Sequence, residues 1–200
     1  MSSGSCELTQ NLNHDGTTPA NGCLEVDADN VTIDLKGFTI TGSNTDSGII
    51  TIGPQDNIVI RNGTITDFSV GLGLGGAHNC RIEGVIAFSN GSAGMNLGNF
   101  CDVNNNIANN NGGDGIETSA SSTIRNNIAN NNANDGIHAP QNNNIIYNTA
   151  NENSGDGIEA GQESSVINNI ANDNDGDGIE VGCPSNLVGN TMQGNGVNLS

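Results

Sequence analysis

The chain has 200 residues with 29 glycines, no Trp, one Tyr and four Phe, so it is long enough for one domain with a substantial core that is not an aromatic-rich globule. Four basic residues against 22 acidic ones leave a net charge of −18, which repels a phosphate backbone and excludes DNA and RNA as partners. No apolar run is long enough to span a bilayer, and Met1 to Gly4 lack the charged and apolar regions of a signal peptide.

In chain order, residues 1–30 read as an amino-terminal cap and first coil, with Cys6 and Cys23 flanking that coil in position for a disulfide that fastens its end. Residues 31–79 repeat loosely. Asn30-Val31-Thr32-Ile33 resembles Asn57-Ile58-Val59-Ile60, and Gly48-Ile49 leads to Gly71-Leu72, so insertions fall in the turns. Asp34, Arg61 and Glu83 share one column on successive coils, a surface charge ladder worth roughly a few tenths of a kcal/mol per pair. Arg125 lies farther along the same column.

Residues 80–200 repeat every 21 residues. Gly94-Met95, Gly115-Ile116, Gly136-Ile137, Gly157-Ile158 and Gly178-Ile179 set the phase. Two further columns, Ile82, Val103, Ile124, Ile145, Val166, Leu187 and Ile86, Ile107, Ile128, Thr149, Ile170, Thr191, are expected to face inward from short strands. Two asparagine columns keep the same period, Asn90 through Asn195 and Asn106 through Asn190. Asparagine tolerates left-handed turns, and stacked amides bond from coil to coil. A leucine-rich repeat has a similar period, but its leucine spacing and helical segment are missing, and an Asn- and Gly-dense repeat is a poor helix former. The whole chain therefore reads as one all-β domain, a single-stranded right-handed parallel β-helix (a β-solenoid) of about nine coils of ~21–25 residues, roughly 40 Å long.

The opening, Cys6-Glu7-Leu8, then Gly22-Cys23-Leu24, then Asn30-Val31-Thr32-Ile33-Asp34-Leu35 and Gly37-Phe38-Thr39-Ile40, resembles the first coils of the right-handed β-helix superfamily. That superfamily contains pectate lyases, polygalacturonases, alginate epimerases and carbohydrate-associated repeat proteins. The resemblance covers nearly the whole chain and implies the fold; activity does not follow, because one scaffold carries many functions. The lyases rely on a base beside a uronate carboxylate, helped by Arg or Lys and calcium, and the basic residues here do not cluster in that way. The Gly-His-Gly and Arg-Ile-Lys motifs of the polygalacturonases do not occur.

Candidates for chemistry lie in the regular coils. Asp173-Asn174-Asp175-Gly176-Asp177-Gly178 matches the first half of a calcium loop, with Asp173, Asp175 and Asp177 as ligands, but Pro184 stands where the closing Glu is required. Asp114, Asp135, Asp156 and Asp177 form a column, and Glu117, His138, Glu159 and Glu180 form another; both are expected to face solvent. His138, one coil from Glu117 and Glu159, suits a transition metal or proton transfer, set against an ordinary solvated histidine. Cys80 and Cys101, one period apart, either bridge or merely stack, and Cys183 is the leftover thiol of an odd five in an oxidising compartment. Tyr147 offers an aromatic face for sugar in the regular repeats.

The expected function is a non-enzymatic extracellular or cell-surface solenoid acting as a structural, adhesion or self-assembling module. Weak calcium or carbohydrate binding and association through the solenoid ends belong to that expectation. The alternative is a polysaccharide lyase, epimerase or hydrolase.

Overall fold

Isolated Val and Ile between Asn- and Gly-rich turns give short strands and no helix in a computed structural model that describes residues 3–16 and 21–200. Met1 and Ser2, at the start of the segment read above for a signal peptide, and residues 17–20 of the cap lie outside the described residues. The chain visits three faces in turn. The first stacks Gly4–Glu7, Val31–Asp34, the leading halves of Val59–Thr66 and Arg81–Phe88, then Asp102–Asn104, Thr123–Arg125, Asn144–Ile146, Ser165–Ile167 and Asn186–Val188. The second runs from Leu12–Asn13 and Thr39–Thr41 through the trailing halves of the same two long strands to Ile107–Asn109. It continues through bridges at Ile128 and Thr149 to Ile170–Asn172 and Thr191–Gln193. The third is a nine-stranded sheet from Gly22–Val26 to Val197–Leu199, including Ile116–Thr118, Ile137–Ala139, Ile158–Ala160 and Asp177–Val181. Every pairing between these strands is parallel, so the molecule is an all-β solenoid whose nine stacked strands bound eight complete turns.

Two of the expected apolar columns fill the interior. Met95, Ile116, Ile137, Ile158 and Ile179 are buried, as are Ile82, Val103, Ile124, Ile145 and Val166. The column containing Ile128 instead points outward, with Ile86, Ile128 and Ile170 about two-fifths exposed. Its neighbours Ala87, Ala108, Ala129, Ala150 and Ala171 take the inward place. The reason is space: a Cβ on Gly136 or Gly157 would stand 2.8 Å from the Ala150 or Ala171 methyl, so the second face lies too close to the third for a branched side chain.

Asparagine ladders line two corners between the faces. Asn127 Oδ1 accepts from the backbone N–H and the Nδ2 of Asn106 at 2.9 and 3.0 Å. Its own Nδ2 donates to Val103 O at 2.9 Å and to Asn148 Oδ1 at 3.0 Å. Both lone-pair sites and both protons of a buried amide are thereby satisfied. The left-handed conformation belongs to the residue before each ladder amide, as at Asn105, Asn126, Asn131 and Tyr147, and not to the ladder asparagines themselves. A third corner column, not recognised in the sequence, is mixed: Cys101 N donates to Ser122 Oγ, Ser122 N to Asn143 Oδ1, Asn143 N to Ser164 Oγ and Ser164 N to Ser185 Oγ. Asn143 Nδ2 finds no partner, because the flanking serines lack the reach of an amide.

The Cys80–Cys101 disulfide stands at the head of that mixed column, with Cα atoms 4.5 Å apart. Cys6 and Cys23 form no disulfide. They belong to different faces, Cys6 on a strand paired with Val31–Asp34 and Cys23 on one paired with Ser47–Thr51, which corrects the expected bridge. Cys183 is exposed.

Candidate functional site

The densest collection of titratable side chains lies where the second-face corner runs into the third face. Strand register places Glu117, His138, Glu159 and Glu180 side by side on successive coils. Two residues before each inward Ile, in the turn ahead of the strand or at its first residue, stands an aspartate of the Asp114, Asp135, Asp156, Asp177 column. Asp135 is 7% exposed, a correction to the expectation that the whole column faces solvent. The aspartates form their own ladder: the N–H of Asp135 donates to Asp114 Oδ1 at 3.0 Å, that of Asp156 to Asp135 Oδ1 at 2.7 Å, and that of Asp177 to Asp156 Oδ1 at 2.6 Å.

His138 bridges two coils. Its Nδ1 lies 3.8 Å from Asp114 Oδ2 and its Nε2 lies 3.7 Å from Glu159 Oε2. Contact with Asp114 raises its pKa first of all, Glu159 adds to the rise, partial burial opposes it, and the result is about 9. The ring is therefore a cation at neutral pH. Asp114 responds in the opposite sense: burial pushes it up, but His138 and donation from Asp135 N–H and Asn134 Nδ2 hold it below the usual carboxylate range. Burial, with the carboxylates of Asp114, Asp156 and Glu159, pushes Asp135 up to about 6 against the donation from Asp156 N–H. Glu180 is raised by its contact with Asp156 in the first place.

Two groups of side chains bring one ligand atom each within 4.8 Å of one another: Asp135, His138 and Glu159, and one coil on Asp156, Asp177 and Glu180. The sequence pointed to His138, Glu159 and Glu180 but missed Asp135 and Asp114 as their neighbours. Asp135 precedes the strand that begins at Ile137, so strand alternation does not find it. Glu117 stands apart, accepting from Asn96 Nδ2 at 2.9 Å. Asp173 and Asp175 are exposed at the corner, Asp173 with a φ of 55°, and Asp177 groups with Asp156 and Glu180 instead. The chain enters an extended strand at Asp177 and does not curl back into a calcium-type loop.

All four Lys and Arg side chains meet carboxylates of the first face, that of Lys36 from the turn that follows Asp34. Lys36 Nζ lies 3.0 Å from Glu7, Arg61 Nε 3.0 Å from Asp34, Arg125 Nη2 3.0 Å from both oxygens of Asp102, and Arg81 Nε 3.7 Å from Asp102. Asp34 is buried, so the expected surface ladder is anchored at an inner carboxylate. Burial raises its pKa, and donation from Lys36 N–H and Asn62 together with the Lys36 and Arg61 charges more than offsets that. On the same corner, between the second and third faces, an open polar groove of about 400 Å³ crosses successive coils, lined by Asn110, Gly112, Asn131, Ala133, Glu152 and Ser154 among others. No helix among the described residues is long and apolar enough to cross a membrane.

The family described as "Right handed beta helix region" matches residues 2–146. Among solved structures, the A-module of mannuronan C-5 epimerase AlgE4 from Azotobacter vinelandii is similar over 98% of this chain and 78% of that one, with a TM-score of 0.69 and 14% identity. The Dettilon tailspike protein is similar over 96% of this chain and 54% of its own, with a TM-score of 0.58 and 15% identity. At such identities both likenesses bear on the fold alone. No curated protein sequence matches the chain.

Proposed function

The chain belongs to the right-handed β-helix family, and from that premise we propose that it is a non-enzymatic extracellular or cell-surface solenoid, a structural, adhesion or self-assembling module with weak affinity for carbohydrate and calcium. The observation that carries this reading is the placement of its bases: every Lys and Arg is paired with a carboxylate on the first face, His14 and His78 lie 2.9 and 3.5 Å from Asp46 and Asp56, and His138 stands between Asp114 and Glu159. A uronate lyase or epimerase needs a free base beside its substrate carboxylate. Neutral amides in the Asn110–Asn131 groove suit hydroxyl recognition, yet the aromatic faces that usually tighten sugar binding are absent from that groove. All-oxygen donors at Asp156, Asp177 and Glu180 favour a hard cation such as calcium. Self-association through the solenoid ends would add strands beside Gly4–Glu7 or Asn186–Val188, the outermost strands of the first face among the described residues.

One observation favours an enzyme on acidic or neutral polysaccharide as the second reading. Asp135 at about 6 and His138 at about 9 are neighbouring groups displaced in pKa, a pattern frequent at catalytic sites, and one similar fold is titled a mannuronan epimerase. Incubation with alginate, pectate and polygalacturonate, read by unsaturated-product absorbance, reducing ends and uronate NMR, separates the two. The module reading expects no product. Turnover that disappears in His138→Gln establishes the enzyme in its place. Light scattering over a concentration series, with and without calcium, tests assembly, and a strict monomer throughout removes it.

A further inference from the structure

We propose that Asp135, His138 and Glu159 form a binding site for one borderline divalent cation of the zinc type, with Asp114 orienting the histidine. The site differs from the calcium-type groups in the nature of its donors: an imidazole nitrogen joined by carboxylate oxygens suits zinc and its neighbours, whereas calcium takes oxygen almost exclusively.

Geometry supplies the first support. Donors bound about 2.0–2.2 Å from one ion stand at most about 4.4 Å apart, and His138 Nε2 and Glu159 Oε2 lie 3.7 Å apart, beyond hydrogen-bond length and within that limit. The Asp135 ligand atom lies within 4.8 Å of both, so a small closing movement completes the set.

The second support is independent of the number of acids. Asp135 is more than nine-tenths buried as a residue; its Oδ1 takes one N–H, from Asp156, while its Oδ2 is not a sealed, unsatisfied atom and stays open to a cation arriving from solvent. The third support lies behind the ring. Nδ1 faces Asp114 Oδ2 at 3.8 Å, from which a short movement would let that carboxylate take the far nitrogen of a ligating histidine and fix its orientation. Side chains of His138 and Glu159 are 31% and 41% exposed, which leaves an entry path and room for water as the remaining ligand. Nothing in the repeat requires a histidine at this place, since the same position on adjacent coils is Glu117 and Glu159. In the absence of an ion the imidazolium supplies the positive charge that the cluster lacks; a bound ion would take over that part and displace a proton.

The test uses the whole chain, freed of metal with a chelator and titrated with zinc chloride by calorimetry in the absence of any polysaccharide, so its outcome is separate from that of the module reading. One equivalent of zinc is expected to bind. His138→Gln and Glu159→Gln should each weaken binding by at least about a hundredfold and Asp114→Asn by about tenfold. Glu117→Gln should leave the affinity unchanged. Cobalt(II) should give an intense visible absorption with the parent protein that His138→Gln abolishes. Asp135→Asn keeps an oxygen for the Asp156 N–H, so loss of zinc with an unchanged far-UV spectrum assigns the loss to the missing ligand. The proposal is overturned if the parent protein binds no zinc, if affinity survives His138→Gln, or if equimolar calcium displaces the zinc.

Discussion

A ladder asparagine is answered on all sides, and this makes its replacement asymmetric in cost. Removing the Asn127 amide strands the N–H of Asn106 and takes one partner each from the Nδ2 of Asn106, the carbonyl of Val103 and the Oδ1 of Asn148, which keeps only the backbone N–H of residue 127. Unsatisfied buried groups cost about 1–3 kcal/mol each, so Asn127→Ala should lose roughly 3–5 kcal/mol in urea denaturation. Asn130 lies on an outer column where its Oδ1 accepts one N–H from Asn151; its alanine variant should lose about 1 kcal/mol or less. At the same scale, His138 sets a pH dependence. Its folded pKa of about 9 stands above the ordinary 6.5, so its contribution to stability is fully present below pH 6.5 and is lost as pH rises through 9. Asp135, raised from 3.8 to about 6, acts in the same direction over that lower interval, because the folded chain holds its proton more tightly. The melting temperature should therefore fall from pH 6.5 to 9, and His138→Gln should flatten that fall; an unchanged slope in the variant would count against the assignment.

Strands of the second face show how an element can mislead when read by residue type. Ile at positions 107, 128 and 170 suggested a core column, yet the neighbouring alanines fill the interior because glycines of the third face approach so closely. Ile128→Thr should change stability by no more than about 0.5 kcal/mol. Ala129→Leu, by contrast, should cost about 1–3 kcal/mol or more through overpacking, both measured by chemical denaturation. The inward and outward phase was legible wherever a single strand carried it, as at Ile137, Ile145 and Val166. It was not legible across a corner, where one left-handed residue, such as Asn126, resets the alternation without marking the sequence. The same limit hid Asp135, which lies in the turn ahead of Ile137–Ala139 and is carried to His138 and Glu159 by the turn and not by the strand's alternation. Between strands, the Cys80–Cys101 bond closes a sequence separation of 21 residues. Reduction should lower stability by about 3 kcal/mol on the chain-entropy account, tested by denaturation with and without a reductant.

At the scale of the whole molecule, the period alone was enough to specify a parallel stack, because only a solenoid returns every column to the same face after a fixed number of residues. Coil number and the asparagine ladders followed from the same count. What the period could not convey was the third corner column, where Cys101, Ser122, Asn143, Ser164 and Ser185 share a place without sharing a residue type. Nor could it show that charge is divided by face, with the basic side chains gathered on the first and the carboxylate–histidine group beside the third.

Because each ladder amide bonds one coil ahead at a separation of 21 residues, the molecule has a unit of length that can be removed. Excising residues 127–147 joins Asn126 to Asn148 and brings Asn148 under Asn106, where Asn127 had been. The shortened chain should fold with an unbroken ladder and one rung fewer. Removing one residue fewer should instead leave the downstream amides out of step and the protein unfolded by circular dichroism. Length in this protein is thus modular, and evolution could adjust it by whole coils without redesigning any of them.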